Sequence, residues 1–93
     1  MSAHLVIDNA EKSRYEIHVD GLLAGFTEYV DEGEVLVFPH TEIAPDFNGQ
    51  GLAAILVTEA LDDVRAKGRL IRPDCPYVAA FIAKHPDYHD LVA

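Results

Sequence analysis

The feature that most constrains this chain is the stretch from Ile43 to Arg65, in which an apolar segment turns through glycines into a helical pattern. The pattern predicts a turn at residues 46–49 and a helix whose first turn carries Gly49 and Gly51. Apolar residues then recur at helical spacing, at Leu52, Ile55, Leu56, Ala60 and Val64. Because the first N–H groups of a helix lack internal partners and lie at the positive end of its dipole, this layout predicts a phosphate cradle.

Two other interpretations fit the same letters. Asn48 is a good N-cap residue, and the glycines that follow it can serve only the turn. Gly49-x-Gly51-x-x-Ala54 also matches the dinucleotide fingerprint of a Rossmann unit. That unit opens a long alternating β/α chain, whereas here a β-rich half precedes the motif and barely one β/α pair follows, so the context argues against a nicotinamide site.

Length and charge limit the classes of protein. Ninety-three residues, 1–93, predict one small domain. The formal net charge of −9 argues against a nucleic-acid surface, which requires clustered Lys and Arg. Acidic residues outnumber basic ones 16 to 7, which favours a cationic small molecule or a Lys-rich partner.

The same composition predicts a cytoplasmic protein that does not bind membranes. No apolar run approaches the roughly 18 residues that span a bilayer, and the N-terminal residues Met1–His4 do not resemble a signal peptide. The only cysteine, Cys75, cannot form an internal disulfide, which is consistent with a reducing compartment. We expect a monomer or a weak dimer.

The first half of the chain predicts four strands joined by short turns, at residues 5–7, 15–19, 22–30 and 34–43. Asp20-Gly21 is a strong signal for a tight turn. Gly25 indicates a bulge or a close contact inside the third strand. Pro39 removes a ladder donor from the fourth strand and therefore predicts a bulge there.

The second half predicts helix, strand and helix. Gly68 stands in the usual position just past a helix end. The strand at residues 70–72 follows the fourth strand through a helical crossover, so the two are predicted to be parallel neighbours. Pro76 begins a second helix, to about residue 83, with Cys75 at its N-cap. The expected class is α/β (α+β): a mixed, largely antiparallel sheet of about five strands with two helices packed against it.

This order of elements, with P-D-F-N-G-Q-G-L-A at residues 45–53, resembles the acetyl-CoA-binding core of the GNAT superfamily of N-acetyltransferases. Gly49–Ala53 together with R-P-D-C-P-Y-V-A-A-F-I-A-K-H-P-D-Y-H-D-L-V at residues 72–92 is similar to the short GNAT-like proteins called N-acetyltransferase domain-containing proteins. The resemblance covers residues 14–92, and the C-terminal segment is the more distinctive of the two motifs. It implies a minimal GNAT fold.

The resemblance also implies a cofactor, acetyl-CoA or CoA, and the residues that bind it. The family signature falls on Asn48, Gly51 and Ala53. The backbone N–H groups that would bind the pyrophosphate are those of Gly49, Gln50, Gly51, Leu52 and Ala53. The pantetheine arm would pair with backbone from Thr41 to Ile43, and the N–H of Ile43 would polarise the thioester carbonyl.

This chain departs from the family pattern at two positions. Asn48 stands where the superfamily prefers Gln or Arg. Ile82 occupies the position of the tyrosine that usually protonates the leaving thiolate. In the GNAT layout Cys75 lies beside the thioester, where three roles are open: proton donor in place of that tyrosine, nucleophile that carries the acetyl group, or inert cap.

Acyl transfer to an amine also requires a base. His40 and Glu42 lie two apart on the fourth strand and therefore share a face, whereas Thr41 faces the other way. Either can be the base, and the alternative is a surface pair with no role. Tyr77, four residues before Phe81, is interpreted as core or as a wall of the cofactor site.

The C-terminal histidines predict no metal site. His40, His85 and His89 show no compact ligand spacing, and His85-Pro86 is typical of a helix stop whose imidazole caps carbonyls. The leading hypothesis is thus an acetyl-CoA-dependent N-acetyltransferase acting on an amine, a small molecule or a Lys or N-terminal amine, with a cationic acceptor favoured by charge. The alternatives are a non-catalytic CoA or acyl-CoA binding module and a structural subunit that docks a partner.

Overall fold

The computed structural model describes residues 3–93. It contains one five-stranded sheet, and residues of this sheet and of the helices form one hydrophobic core. Met1 and Ser2, part of the N-terminal segment interpreted above, lie outside the described residues. In chain order the elements are β1 (His4–Asn9), β2 (Arg14–Val19), β3 (Leu22–Asp31), β4 (Val35–Ile43), α1 (Leu52–Ala66), β5 (Leu70–Arg72) and α2 (Pro76–Lys84). Short 3₁₀ segments occur at Ala10–Lys12, Pro45–Phe47 and Pro86–Leu91. The predicted fold class is confirmed.

The strands lie in the order β1-β2-β3-β4-β5, and only the last pair is parallel. The tight turn between β2 and β3 has Asp20 at φ +50° and Gly21 at φ +84°. Two consecutive left-handed residues are what a hairpin turn matched to strand twist requires, so the Asp-Gly signal is confirmed. The parallel pairing of β4 with β5 follows from the crossover through α1 and is also confirmed.

Two irregularities shape the sheet where the sequence predicted them. Ile17 pairs with Gly25, but the next residue of β2, His18, pairs with Leu23. The β3 strand therefore has one extra residue at this point, which is a bulge beside Gly25. A Cβ on Gly25 would lie 2.5 Å from Cδ1 of Ile43 and 2.6 Å from the carbonyl oxygen of Glu42, so β3 and β4 approach there too closely for a side chain.

The second irregularity is at Pro39. Val37 pairs with Val30 and His40 pairs with Glu28, so β4 advances by three residues while β3 advances by two. The extra residue reverses the alternation of faces along β4. Before the bulge Phe38 points into the core; after it Thr41 and Ile43 face the helices, while His40 and Glu42 are exposed.

The helix α1 begins later than the pattern predicted. Its N-cap is Gly51, and its first residue is Leu52, so Gly49 and Gly51 precede the helix instead of lying in its first turn. Asn48 is extended, at φ −63° and ψ 151°, and ends a 3₁₀ segment, so it does not cap α1. Gly49 and Gly51 have φ +79° and +71°, and a right-handed helix cannot include such residues.

Both helices pack on the same side of the sheet. Their buried residues join one core with the inward side chains of β2 to β5, and Leu56, Leu61, Ile71 and Val78 are among its fully buried members. The end of α1 is as predicted, with Gly68 at φ +67° just past it. No helix within residues 3–93 combines the length and the hydrophobicity needed to cross a bilayer.

We call the opposite surface of the sheet the open face; its side chains include Leu5, Ile7, Arg14, Glu16, His18, Leu23, Phe26, His40 and Glu42. Glu16 lies on this face but is only 5% exposed. Its carboxylate accepts hydrogen bonds from Asn9 Nδ2 at 3.0 Å and Arg14 Nε at 2.7 Å, and contacts His18 Nε2 at 3.0 Å. Burial opposes ionisation, but these hydrogen bonds prevail and lower the pKa of Glu16 to about 2.

Candidate functional site

The turn from Asn48 to Gly51, which we call the glycine turn, leads from β4 into α1 and is exposed throughout. A Cβ placed on Gly49 or Gly51 would meet nothing within 4 Å, so no neighbouring atom requires glycine there. The requirement comes from the backbone, since both residues are left-handed. The consequence is a surface loop whose main chain is not covered by side chains at Gly49 and Gly51.

The start of α1 has free donors. The first bond into the helix joins the N–H of Ile55 to the carbonyl of Gly51 at 3.4 Å, and no backbone acceptor within residues 3–93 takes the N–H of Leu52, Ala53 or Ala54. Gly51 supplies no side-chain cap, and the first turn has no acidic residue. Such a helix start attracts anions through its N–H groups and its dipole.

The second part of the site is the free edge of β4. Pairing with β5 begins at Val35 and ends where Val37 meets Arg72. Beyond it, the N–H of Ala44 donates to the carbonyl of Ala24 in β3 at 2.7 Å. Because main-chain groups alternate along a strand, those of Thr41 and Ile43 point away from β3 into the gap left by β5. β4 and β5 therefore separate after the bulge at Pro39.

Cys75 lies at the mouth of this gap. It is the N-cap residue of α2, as predicted, with Pro76 at the first helical position. Its N–H donates to the carbonyl of Phe38 at 2.7 Å, which joins the helix start to the bulge in β4. The side chain is buried, and Sγ lies 3.5 Å from Oγ1 of Thr41. The fold thus brings Cys75 beside the β4 residue that the resemblance assigned to the pantetheine arm.

A hydroxyl behind Cys75 was missed by the sequence reasoning. Oγ1 of Thr41 lies 2.9 Å from Oγ1 of Thr27, which is completely buried in β3. The two threonines are direct cross-strand partners. Once the bulge at Pro39 was predicted, the register of the β3–β4 hairpin was the signal that could have paired them. The result is a chain of polar groups, from Thr27 through Thr41 to Cys75, that enters the core.

His40 and Glu42 lie on the other surface. Their side chains are 52% and 60% exposed on the open face, and His40 Nε2 lies 3.3 Å from Glu42 Oε1. The edge of the His40 ring contacts Phe26, with 6.2 Å between the centroids. The shared face predicted for the pair is observed, but the sheet separates it from Cys75, which contacts the helix-facing Thr41. The gap beside β4 is where the two surfaces meet.

The first turn of helix α2 carries one exposed aromatic ring. Tyr77, in its first turn, is 39% exposed, and partial burial raises the pKa of its phenol. Phe81 is instead in the core and stacks on His85 with 4.0 Å between ring centroids. Ile82, which the resemblance aligned with a proton-donating tyrosine, is also a buried, apolar core residue.

The C-terminal histidines contact carbonyls. His85 Nδ1 lies 2.7 Å from the carbonyl oxygen of Phe81, and His89 Nε2 lies 3.0 Å from that of Ile82. Both contacts lie at the end of α2, where carbonyls lack helical partners, so the predicted capping role of His85 is confirmed. Within residues 3–93, no group of three His, Cys, Asp or Glu side chains converges as metal ligands would.

Comparison with known proteins decides the family. A family model described as GCN5-related N-acetyl-transferase matches residues 14–91. The chain belongs to this family. Its fold is similar to the crystal structure of ribosomal-protein-S18-alanine N-acetyltransferase from Escherichia coli, with a TM-score of 0.66 and 12% identity over 90% of this chain and 76% of that chain. A search of curated proteins found no match. Membership in the family supports acyl transfer as the general activity.

Proposed function

We propose that this protein is an N-acetyltransferase that uses acetyl-CoA as acyl donor and an amine as acceptor. One observation carries the proposal. The uncapped N-terminus of α1 and the unpaired edge of β4 are connected by only eight residues, and Cys75 lies at this edge. The residues present fit the donor, since diphosphate suits free helix N–H groups and the amides of pantetheine suit an open strand edge.

In this proposal each part of the chain holds one part of the donor. The N–H groups from Gly49 to Ala53 bind the pyrophosphate, because they have the positive potential and the open surface that an anion requires. Main-chain groups of Thr41 and Ile43 bind the pantetheine amides. The N–H of Ile43 faces the gap and is the donor for the thioester oxygen. Tyr77 forms part of the wall.

Cys75 is proposed as the acid. As the C–N bond to the amine forms and the C–S bond of the thioester breaks, the Sγ–H of Cys75 donates its proton to the departing sulfur, and water reprotonates Cys75 afterwards. The α2 dipole stabilises the thiolate that this step leaves on Cys75, and Thr41 fixes the direction of the thiol. A covalent role, in which Cys75 itself accepts the acetyl group, and an inert role are the alternatives.

The base is proposed to be His40 or Glu42. Both flank Thr41 in β4 and border the gap from the open face, so an amine that enters from that side would meet them first. The net charge of −9 supports a cationic acceptor, because an acidic surface raises the local concentration of ammonium compounds.

Calorimetric titration with CoA and acetyl-CoA tests the donor site, and we expect binding of both. Turnover is then measured as free CoA thiol released with polyamines, amino acids and Lys-containing peptides. Absence of binding at millimolar acetyl-CoA would end the proposal. Faster acetylation of anionic or neutral amines than of polyamines and Lys side chains would contradict the cationic acceptor.

One observation favours a second function, a non-catalytic CoA-binding module. Ile82 is buried at the position where the family places its acid, so the hydroxyl expected from the resemblance is absent there. This alternative predicts CoA binding with no loss of acetyl groups across the same acceptor panel. Release of thiol that depends on the amine concentration excludes it.

A further inference from the structure

The edge of the sheet opposite the donor site has unpaired main-chain groups. Within residues 3–93, β1 is the first strand in the sheet order and pairs only with β2. The carbonyl of Ala3 accepts a hydrogen bond from the N–H of Asp20 at 3.0 Å, so alternate residues from Ala3 onward point to β2. The main-chain groups of His4, Val6 and Asp8 therefore point outward, where another strand can pair with them.

A cleft flanks this edge on each face of the sheet. On the open face, a cleft of about 320 Å³ is lined by residues that include Leu5, Ile7 and His18. Leu5 is 61% exposed and Ile7 38%, which is a large apolar exposure for one short strand. On the helix face, a cleft of about 400 Å³ lies between Val6 and the polar side of α1.

The helix-face cleft is acidic. Its walls carry four carboxylates and one ammonium group, those of Asp8, Glu59, Asp62, Asp63 and Lys67. Lys67 Nζ lies 3.1 Å from Asp8 Oδ2 and 2.7 Å from Asp63 Oδ2. Its ammonium group therefore pairs with two of the four carboxylates. Within residues 3–93, Asp62 accepts a hydrogen bond only from the neutral hydroxyl of Tyr88, at 2.7 Å, and the exposed Glu59 belongs to no ion pair. Among the residues that the structure describes, these two carboxylates thus have no direct ion-pair partner beside the edge.

We propose that β1 is a docking edge for an extended segment of another protein in which apolar and basic residues alternate. A strand added to β1 would pair with the main-chain groups of His4, Val6 and Asp8. Its side chains would point alternately to the two faces. One set would cover Leu5 and Ile7, and the other would bring Lys or Arg to Glu59 and Asp62.

A second copy of this chain is a poorer occupant. Two β1 strands pairing about a two-fold axis would place the same faces together, so the carboxylates of Glu59 and Asp62 in one copy would approach those of the other. Each copy also carries a net charge of −9. Repulsion of like charges opposes that dimer, whereas a basic strand gains from the same charges.

The test uses a short peptide of alternating lysine and valine with blocked ends, titrated into the ¹⁵N-labelled protein without CoA. We expect chemical-shift changes confined to β1 and the facing side of α1, and tighter binding than for a peptide of glutamate and valine. Methylation of the peptide nitrogens that pair with β1 should abolish binding. Shifts centred on Thr41 and Ile43, or equal binding of both peptides, would overturn the proposal.

Two pairs of variants locate the contact. Val6→Pro removes an outward N–H without removing a bond to β2 and should weaken the lysine peptide about tenfold or more, whereas Val6→Ala should change little. Glu59→Lys should weaken it on the order of tenfold at low salt, and Glu34→Lys, which has the same charge change in the β3–β4 turn, should not. If the two charge reversals weakened binding equally, the effect would reflect the net charge of the protein alone and would contradict a site at β1. Concentration-dependent dimerisation through β1 that excludes the peptide would assign the edge to a second copy.

Discussion

The two helices of this protein begin in opposite ways. Neither N-cap residue forms a side-chain cap, so both helix starts leave the donors that caps usually satisfy. At α1 the N-cap is Gly51, which is exposed and has a left-handed backbone conformation, as Gly49 also has. At α2 the N-cap is Cys75, which is 4% exposed, extended in backbone, and bonded through its N–H to the carbonyl of Phe38.

The difference shows how one backbone feature serves two purposes. An exposed start without side chains gives a solvated anion access to several N–H groups. A buried start with a thiol at its cap directs the same dipole at one side chain. In the proposed function the first start holds the diphosphate of the donor, and the second supplies a proton at the thioester. Substitutions at the two starts should therefore affect different steps.

The largest effect is expected from Gly51→Val. A branched side chain at φ +71° costs about 1–3 kcal/mol of stability and covers the N–H groups of the glycine turn. Loss of two charge-assisted hydrogen bonds corresponds to a decrease in CoA affinity on the order of a hundredfold or more. Calorimetric titration measures the affinity, and circular dichroism checks the fold.

Gly33→Val is the matched control, because Gly33 has φ +87° and, like Gly51, has no atom within 4 Å of an added Cβ. It should lose similar stability and keep CoA binding. A folded Gly51→Val protein that binds CoA within about threefold of wild type would show that the diphosphate site is elsewhere.

Cys75→Ala should have the next largest effect, and on a different quantity. We expect CoA affinity to be retained and acetyl turnover to fall about tenfold to a hundredfold, the usual contribution of a positioned acid. Separate measurements of CoA binding and thiol release distinguish the two effects. Cys75→Ser conserves size and polarity but is a much weaker acid, so it should also lose turnover. Wild-type turnover in the alanine variant would leave Cys75 with no catalytic role.

The covalent alternative for Cys75 makes a separate demand. Intact mass measured after mixing the protein with acetyl-CoA alone should then show an acetyl adduct that hydroxylamine removes, and the adduct should be absent from Cys75→Ala. If Cys75 only donates a proton, no adduct forms while turnover still depends on it.

Thr41→Val tests the support behind the α2 start. Removal of the Thr41 hydroxyl leaves the hydroxyl of Thr27 completely buried without its partner, which should cost about 1–3 kcal/mol in urea unfolding. The double variant Thr27→Val with Thr41→Val replaces both polar groups by apolar ones of similar shape and should recover most of that stability. If the double variant loses as much stability as the single variants Thr27→Val and Thr41→Val together, the two hydroxyls are not coupled, contrary to what their 2.9 Å distance implies.

Much of this architecture was predictable because its signals are local. The Asp20-Gly21 turn, the bulge at Pro39, the end of α1 before Gly68 and the Cys75 cap each depend on backbone chemistry within a few residues. The hydrophobic period predicted both helices for the same reason.

The remainder depends on contacts that no short window contains. The start of α1 was predicted too early, because Asn48 satisfies the local capping rule and only the structure shows the left-handed glycines that follow. The burial of Glu16 arises from Asn9 and Arg14 on neighbouring positions of a hairpin. The contact between Cys75 and Thr41 joins residues 34 apart in sequence. The roles of these residues and of His40 and Glu42 in acyl transfer stay predictions.

The smallest effect, and the finest test of the α1 start, is expected from Asn48→Arg. Asn48 is exposed at the beginning of the glycine turn, at a position where the family resemblance implied a longer side chain. Arginine there adds a positive charge and a second pair of donors beside the proposed diphosphate, so CoA should bind about threefold to tenfold more tightly at low salt. The gain should shrink as salt is raised, because the contact is exposed. Asn48→Glu should weaken binding through repulsion, while Glu34→Gln, which makes the same +1 charge change in the β3–β4 turn, should leave CoA affinity nearly unchanged. If Asn48→Arg and Glu34→Gln tighten binding equally, the gain reflects overall charge and the donor site does not include Asn48.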